Sequence, residues 1–192
     1  MATDEEYQQN IQQHEWADLI ELWGKINARE TPGWPAGKAF EYLILRAFQL
    51  EGAYVHWPYT VTVGEVIGSG AQEAAEQIDG FVHTDDGLAC LIECKDYQDE
   101  KANLESIAKL RNQLLRRSST AIGAVFSRAG FIATSTLLAR FTAPQTILLW
   151  DGDEIEIALR NHWFCQGLTA KYRLCLAKGV PDYHLRNISP GV

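Results

Sequence analysis

The stretch Ile92-Glu93-Cys94-Lys95 ends an apolar run, residues 88–95, that follows the turn signal Asp85-Asp86-Gly87. Side chains on a strand alternate faces, so Glu93 and Lys95 share one face while Cys90, Ile92 and Cys94 share the other. The second face is wholly apolar and suits a core. The turn implies a preceding partner strand over 77–83, which carries Asp79 within Ile78-Asp79-Gly80-Phe81. A lone carboxylate in such a stretch is costly to bury and calls for a cation. Side by side across the hairpin, Asp79 and Glu93 would form an oxygen-rich pocket of the kind a hard divalent ion such as Mg²⁺ prefers.

Working upstream, Thr31-Pro32-Gly33-Trp34-Pro35 breaks the chain, and the spacing of Phe40, Leu43, Ile44, Ala47 and Phe48 predicts a helix over 36–50. Glu41 falls on the same helical face as Leu45 and Phe48, so it points towards the interior. Carboxylates from one helix and two adjacent strands thus converge, with Lys95 beside them to stabilise charge on a phosphoryl group or to position an attacking water. These are the parts that metal-assisted phosphodiester hydrolysis needs.

The remaining segments complete an α/β pattern. Residues 4–29 carry Ile11, Trp16, Leu19, Ile20 and Trp23 at helical intervals and predict one N-terminal helix. Strand-like stretches cover 53–63 and 77–83, with 64–76 between them read as a mobile loop whose Gly68-Ser69-Gly70 is a hairpin tip. Beyond Lys95, helix and strand alternate: helix 103–117, strand 121–126, helix 131–141, strand 145–150 and a short helix 154–159. A mixed sheet, antiparallel at the hairpins and parallel at the crossovers, with helices on both faces, accounts for this order. Residues 161–192 have weaker periodicity and are expected to pack as an appendage, with Trp163, Tyr172 and Tyr183 serving packing or subunit contacts.

At 192 residues and 46% hydrophobic content, the chain can fill a real core. It has no apolar run of bilayer length and an acidic start, so a soluble, cytoplasmic protein without a membrane partner is expected. Cys90, Cys94, Cys165 and Cys175 lack zinc-finger spacing and are expected as free thiols. The net charge of −8 argues against a nucleic-acid binder until its distribution is considered. From residue 106 to 150 there are six bases (Lys109, Arg111, Arg116, Arg117, Arg128, Arg140) and no acid, which leaves a local basic surface. With no acid nearby in sequence, Arg116 and Arg117 are the best phosphate candidates, followed by Lys109 and Arg111. Arg140 reads better as an ordinary helix face.

The order of Glu41 on a helix, Asp79 on a strand and Glu93-x-Lys95 on the next strand resembles the PD-(D/E)XK nuclease superfamily, and in particular Mrr-type restriction endonuclease domains. Gly37-Lys38-Ala39-Phe40-Glu41 resembles their opening helix, and Gln77-Ile78-Asp79-Gly80 their metal aspartate. Val125-Phe126-Ser127-Arg128-Ala129-Gly130-Phe131 is similar to their strand-turn-helix, and Leu148-Leu149-Trp150-Asp151-Gly152 to their closing strand and turn. The resemblance implies a restriction-endonuclease-like fold over residues 36–160, between an N-terminal helical extension (1–35) and the C-terminal appendage (161–192). It also implies a DNA endonuclease, active in restriction or defence, with Glu41, Asp79 and Glu93 holding Mg²⁺, or Mn²⁺ in its place, and no other small-molecule cofactor. Lys95 joins them as catalytic, and Gln113 is a candidate to touch the site from the following helix, as a glutamine does in similar nucleases. The acidic N-terminal helix suits a homodimer that brings two sites to two strands.

Blander readings stand beside these. A lone Glu-x-Lys is usually a solvated pair, and only Asp79 and Glu41 lift this one above that. Gln113 borders the apolar stripe of its helix and is as readily a surface residue. His56, His83 and His162 are read as structural. The competing functions are a structure-specific repair nuclease such as a junction resolvase, an RNA nuclease, or a non-catalytic nucleic-acid-binding subunit that keeps the fold.

Overall fold

The computed structural model describes residues 3–97 and 100–188, except for the side chain of Val66. Helices α1 (Asp4–Ile11), α2 (Trp16–Ala28) and α3 (Lys38–Leu50) precede the strands β1 (Tyr54–His56) and β2 (Tyr59–Thr62), the short helix α4 (Val63–Ile67) and the strands β3 (Ala74–Ile78), β4 (Gly80–His83) and β5 (Ala89–Lys95). Then come α5 (Leu104–Leu114), β6 (Ile122–Ser127), α6 (Ala133–Arg140), β7 (Ile147–Asp151), α7 (Gly152–Asn161) and α8 (Phe164–Lys178).

Five strands form one mixed sheet in the order β1-β4-β5-β6-β7. The β1/β4 and β4/β5 pairs are antiparallel, whereas β5/β6 and β6/β7 are parallel, as their helical crossovers require. A separate two-stranded sheet pairs β2 with β3. Parity along β5 divides the core as its alternation predicts. Cys90, Ile92 and Cys94 join a large cluster with α1, α2, α3, α7 and α8, while Leu91 packs with Ile107, Leu110 and Leu114 of α5 on the other side. Glu93 and Lys95, of the same parity as Leu91, therefore face α5.

Four expectations change. The expected single helix over 4–29 is two helices, because Glu15 starts α2 with a capping box to Asp18 and the chain turns between them. Residues 53–63 do not form one strand, since Pro58 separates β1 from β2. The expected loop 64–76 holds α4, capped by Thr62 and Glu65, and most of β3. The expected strand 77–83 is interrupted at Asp79, where β3 of the small sheet gives way to β4 of the main one, and Gly68, midway in the β2/β3 connection, is the left-handed C-cap of α4, at φ 67°.

The apolar side of the N-terminal helices is buried within the chain: Tyr7, Ile11, Leu19, Leu22, Trp23 and Ile26 all belong to the large core cluster. Residues 164–178 form a long helix whose Phe164 and Leu168 are fully buried, and Trp163, Tyr172 and Tyr183 pack against the same cluster. The weak periodicity of this helix has a physical source, because its buried face includes Gly167 and the wholly buried Lys171. Lys171 pairs there with Glu154 and lies over the Trp150 ring. Among the described residues, no helix is long and apolar enough to cross a membrane. All four cysteines are free, with Cys90 and Cys94 buried and the other two half-buried.

Candidate active site

Asp79 lies between β3 and β4, one residue before Gly80, which pairs with Ile92 across the hairpin. Its Oδ2 accepts a hydrogen bond from the Cys94 N–H at 2.9 Å, which fixes the carboxylate against β5. Gly80 is required by the approach of α3, since a Cβ there would overlap the Leu45 side chain. Glu93 is completely buried and has an ammonium at each oxygen: Lys95 Nζ is 2.6 Å from Oε1 and Lys109 Nζ is 2.7 Å from Oε2. Lys109 also lies 3.7 Å from Asp79 Oδ1, so it bridges the two carboxylates. Burial and the nearby Asp79 raise the pKa of Glu93, against the pull of Lys95 and Lys109. Burial works against the Lys95 ammonium, but Glu93 outweighs it and holds the Lys95 pKa above its ordinary value.

Glu41 reaches the same region from the first turn of α3, which starts at Gly37 in the left-handed conformation (φ 80°). Its Oε2 accepts from Lys38 Nζ at 3.0 Å. Burial, followed by the charge of Asp79, raises the Glu41 pKa from 4.5 to about 7, and Lys38 opposes the rise. Three carboxylates and three ammoniums thus meet at one end of the sheet.

The remaining candidates are placed differently from the sequence reading. Lys109, expected on a phosphate-binding face, is part of the carboxylate cluster. Gln113 is buried, and its Nε2 donates to the Gln77 carbonyl at 2.9 Å, so it braces the strand leading to Asp79. Arg116 and Arg117 both pair with Glu76, Arg117 at 2.6 Å. The premise that no acid neutralises them fails, because β3 brings to the end of α5 a carboxylate that is remote in sequence. The two arginines hold the Glu76 pKa below its usual value in spite of burial. Arg111 is half-buried, and its Nε has no hydrogen-bond partner among the described residues.

Sequence reasoning also missed what secures the exit of β5. Arg29 Nη1 and Arg128 Nε lie 2.7 and 2.6 Å from Asp96 Oδ1, and both guanidiniums donate to the Tyr97 carbonyl. Arg128 follows Ser127, the parallel partner of Lys95, and that pairing is the signal that would have placed it. Among the described residues, the group whose metal-ligating atoms all lie within 4.8 Å of one another is Asp151, Glu154 and His184, not Glu41, Asp79 and Glu93. The first set is committed to capping: Asp151 Oδ1 accepts from the Glu154 N–H, Glu154 Oε2 from the Asp151 N–H, and Glu154 Oε1 from the Leu185 N–H beside Lys171.

Among curated proteins, none matches the chain at a significant level. A solved structure, the MspJI restriction endonuclease in complex with a 27-mer oligonucleotide, is similar over 87% of this chain and 35% of its own, at 17% identity and a TM-score of 0.43. This chain therefore spans about a third of that protein's length. The family model described as restriction endonuclease, the Mrr catalytic domain, matches residues 36–159, well over half of the sequence, and it contains both arms of the carboxylate cluster. The chain belongs to the Mrr-type restriction endonuclease family, with the mixed sheet and flanking helices of the restriction-endonuclease-like fold.

Proposed function

We propose that this protein is a divalent-metal-dependent DNA endonuclease, with Asp79, Glu93 and Lys95 at its catalytic centre and Glu41 beside them. One observation carries the reading: a fully buried Glu93 on β5 and a nearly buried Asp79, at the bend that leads into its partner strand β4, meet under two lysines at the end of β5. An apolar core gains nothing from such a group, since burying like charges costs several kcal/mol unless cations compensate. The donor set fits a hard cation such as Mg²⁺, with Mn²⁺ able to substitute, because every available donor is a carboxylate oxygen and Glu93 already requires positive charge on both sides.

When bound, the ion would supply an activated water and charge neutralisation at the phosphoryl oxygens. The rest belongs to the chain. Asp79, locked by the Cys94 N–H, and Glu93 would hold the ion, and Glu41 adds a third carboxylate whose raised pKa leaves it ready to take up or release a proton near neutral pH. Lys95, one-fifth exposed and kept protonated by Glu93, is placed to donate to a phosphoryl oxygen as negative charge builds there. Gln113 braces the strand that leads to Asp79, and the Arg29–Asp96–Arg128 clamp fixes the exit of β5. We further propose residues 36–160 as the nuclease domain, and a role in restriction of foreign DNA.

The test is incubation of supercoiled plasmid, methylated plasmid, branched DNA and RNA with the protein in Mg²⁺ or Mn²⁺, beside Asp79→Asn and Glu93→Gln. The wild type nicks or linearises DNA, and both variants stop while remaining folded. If the wild type cuts no DNA in either metal, or the variants cut as well as it does, the reading is wrong.

A further inference from the structure

Glu93 and Asp79 offer four carboxylate oxygens, and two of them are engaged by groups fixed on β5 in a way that leaves little choice of metal position. Asp79 Oδ2 is tied to the Cys94 N–H, and Glu93 Oε1 to Lys95. The oxygens that remain to be shared between the two residues are Asp79 Oδ1 and Glu93 Oε2, and both face the Lys109 ammonium, at 3.7 and 2.7 Å. Lys109 and a divalent ion bridging Asp79 and Glu93 would require the same place. Two cations so close repel strongly, and one carries twice the charge of the other. Lys109 is the movable one. Its side chain is 39% exposed at the rim, whereas Lys95 is 20% exposed and pinned on a strand. Its flexible four-carbon stem allows the ammonium to swing outward while the helix stays fixed.

We propose that Lys109 is a second catalytic lysine with two positions: in the metal-free protein it is the internal counter-ion of Asp79 and Glu93, and in the loaded protein it contacts the scissile phosphate. This rests on the nuclease reading above. Lys109 is the most exposed of the groups around Glu93 and Asp79, so a polyanionic backbone that reaches the carboxylates passes it. A strongly hydrated ammonium expelled from the carboxylates at the mouth of the site meets the incoming phosphate first. Its two positions predict opposite effects on two measurements, which a purely structural role would not produce.

The experiment compares wild type, Lys109→Met and Lys109→Arg in two assays: Mn²⁺ binding by titration calorimetry without DNA, and single-turnover cleavage of plasmid at saturating Mn²⁺. Lys109→Met should bind Mn²⁺ more tightly, by roughly tenfold, within the range typical of coupled sites. It should cut more slowly, by about two orders of magnitude, as expected for a lost electrostatic contact in the transition state. Lys109→Arg, which keeps the charge, should bind Mn²⁺ nearly as wild type does and recover part of the rate. A Lys109→Met protein that loses both metal affinity and rate, or keeps both, overturns the assignment of Lys109 alone, provided that the wild type binds Mn²⁺ and cuts. A wild type that takes up no Mn²⁺ overturns the proposal and the nuclease reading together.

Discussion

Glu41 offers the sharpest thermodynamic test of the site, because it requires neither DNA nor turnover. Its side chain is 17% exposed, and burial together with Asp79 raises its pKa from 4.5 to about 7. A carboxyl group that binds its proton more tightly in the folded state makes stability fall as pH rises: the penalty is absent below the unfolded pKa and complete once pH passes the folded one. The separation of the two values corresponds to about 3 kcal/mol at pH 8, or roughly 10 °C in Tm for a domain of this size. Glu41→Gln removes the charge but keeps an oxygen to accept from Lys38. In EDTA, the variant should match the wild type near pH 4.5, overtake it through pH 5–7 and exceed it by about 3 kcal/mol at pH 8. Urea unfolding at one-unit steps measures this directly. Millimolar Mn²⁺ should then restore the wild type more than the variant above pH 7, since a carboxylate must be deprotonated to ligate. Parallel stability curves for the two proteins from pH 5 to 8 would refute the argument that Glu41 is buried against Asp79.

Three further outcomes follow from the same geometry. Lys95→Ala should remain folded and bind Ca²⁺ and DNA, yet cut two to four orders of magnitude more slowly in single-turnover assays, the range of a lost electrostatic or acid-base group; an unchanged rate removes Lys95 from the chemistry. Gly80→Ala should destabilise by about 1–3 kcal/mol because its Cβ meets Leu45, and Gly80→Ala with Leu45→Ala should cost less than the sum of the two; additive unfolding energies would show that the contact is not the cause. Glu76→Gln releases Arg116 and Arg117, so DNA affinity should rise and its salt dependence steepen by about one to two released counterions; an unaltered salt slope would mean that these arginines face no phosphate even when freed.

The main sheet was legible because its signals are local. Asp85-Asp86-Gly87 makes the β4/β5 hairpin, period-two alternation assigns each residue of β5 to a face, α5 carries a plain helical period, and β6 and β7 are short continuous apolar runs. Where the sequence misled, a polar cap looked like helix interior or loop. Glu15-x-x-Asp18 starts a new helix inside a continuous polar pattern, and Thr62-x-x-Glu65 starts one where Gly-rich composition suggested only a loop. Asp151-x-x-Glu154 moves the start of α7 to Gly152, two residues before the expected one. The last case hid chemistry as well, because the cap carboxylate of Glu154 receives Lys171 from α8, 17 residues away in sequence.

The same distinction governs the site. Glu93 and Lys95 share one face of β5 and Asp79 sits at the bend just before β4, so parity and one turn suffice to place them together, and Glu41 follows from the apolar face of its own helix. Lys109 lies one position before the buried Leu110, on the edge of the α5 stripe, and which way an edge residue leans depends on how the helix crosses the sheet. No count along the chain contains that angle. Charge counts failed for the same reason: the acid-free segment 106–150 contributes Lys109 to Glu93, Arg116 and Arg117 to Glu76 and Arg128 to Asp96, so four of its six bases are matched by acids from the preceding segment. The result is an anionic centre that the chain balances internally, with Lys38, Lys95 and Lys109 drawn from three different elements. Such a centre can fold before any metal arrives, because each buried carboxylate already has a cation within about 3 Å or a backbone donor. Its lysines must then be able to give up part of that role when a divalent ion takes over the balance, and of the two on Glu93 only Lys109 is exposed enough to do so.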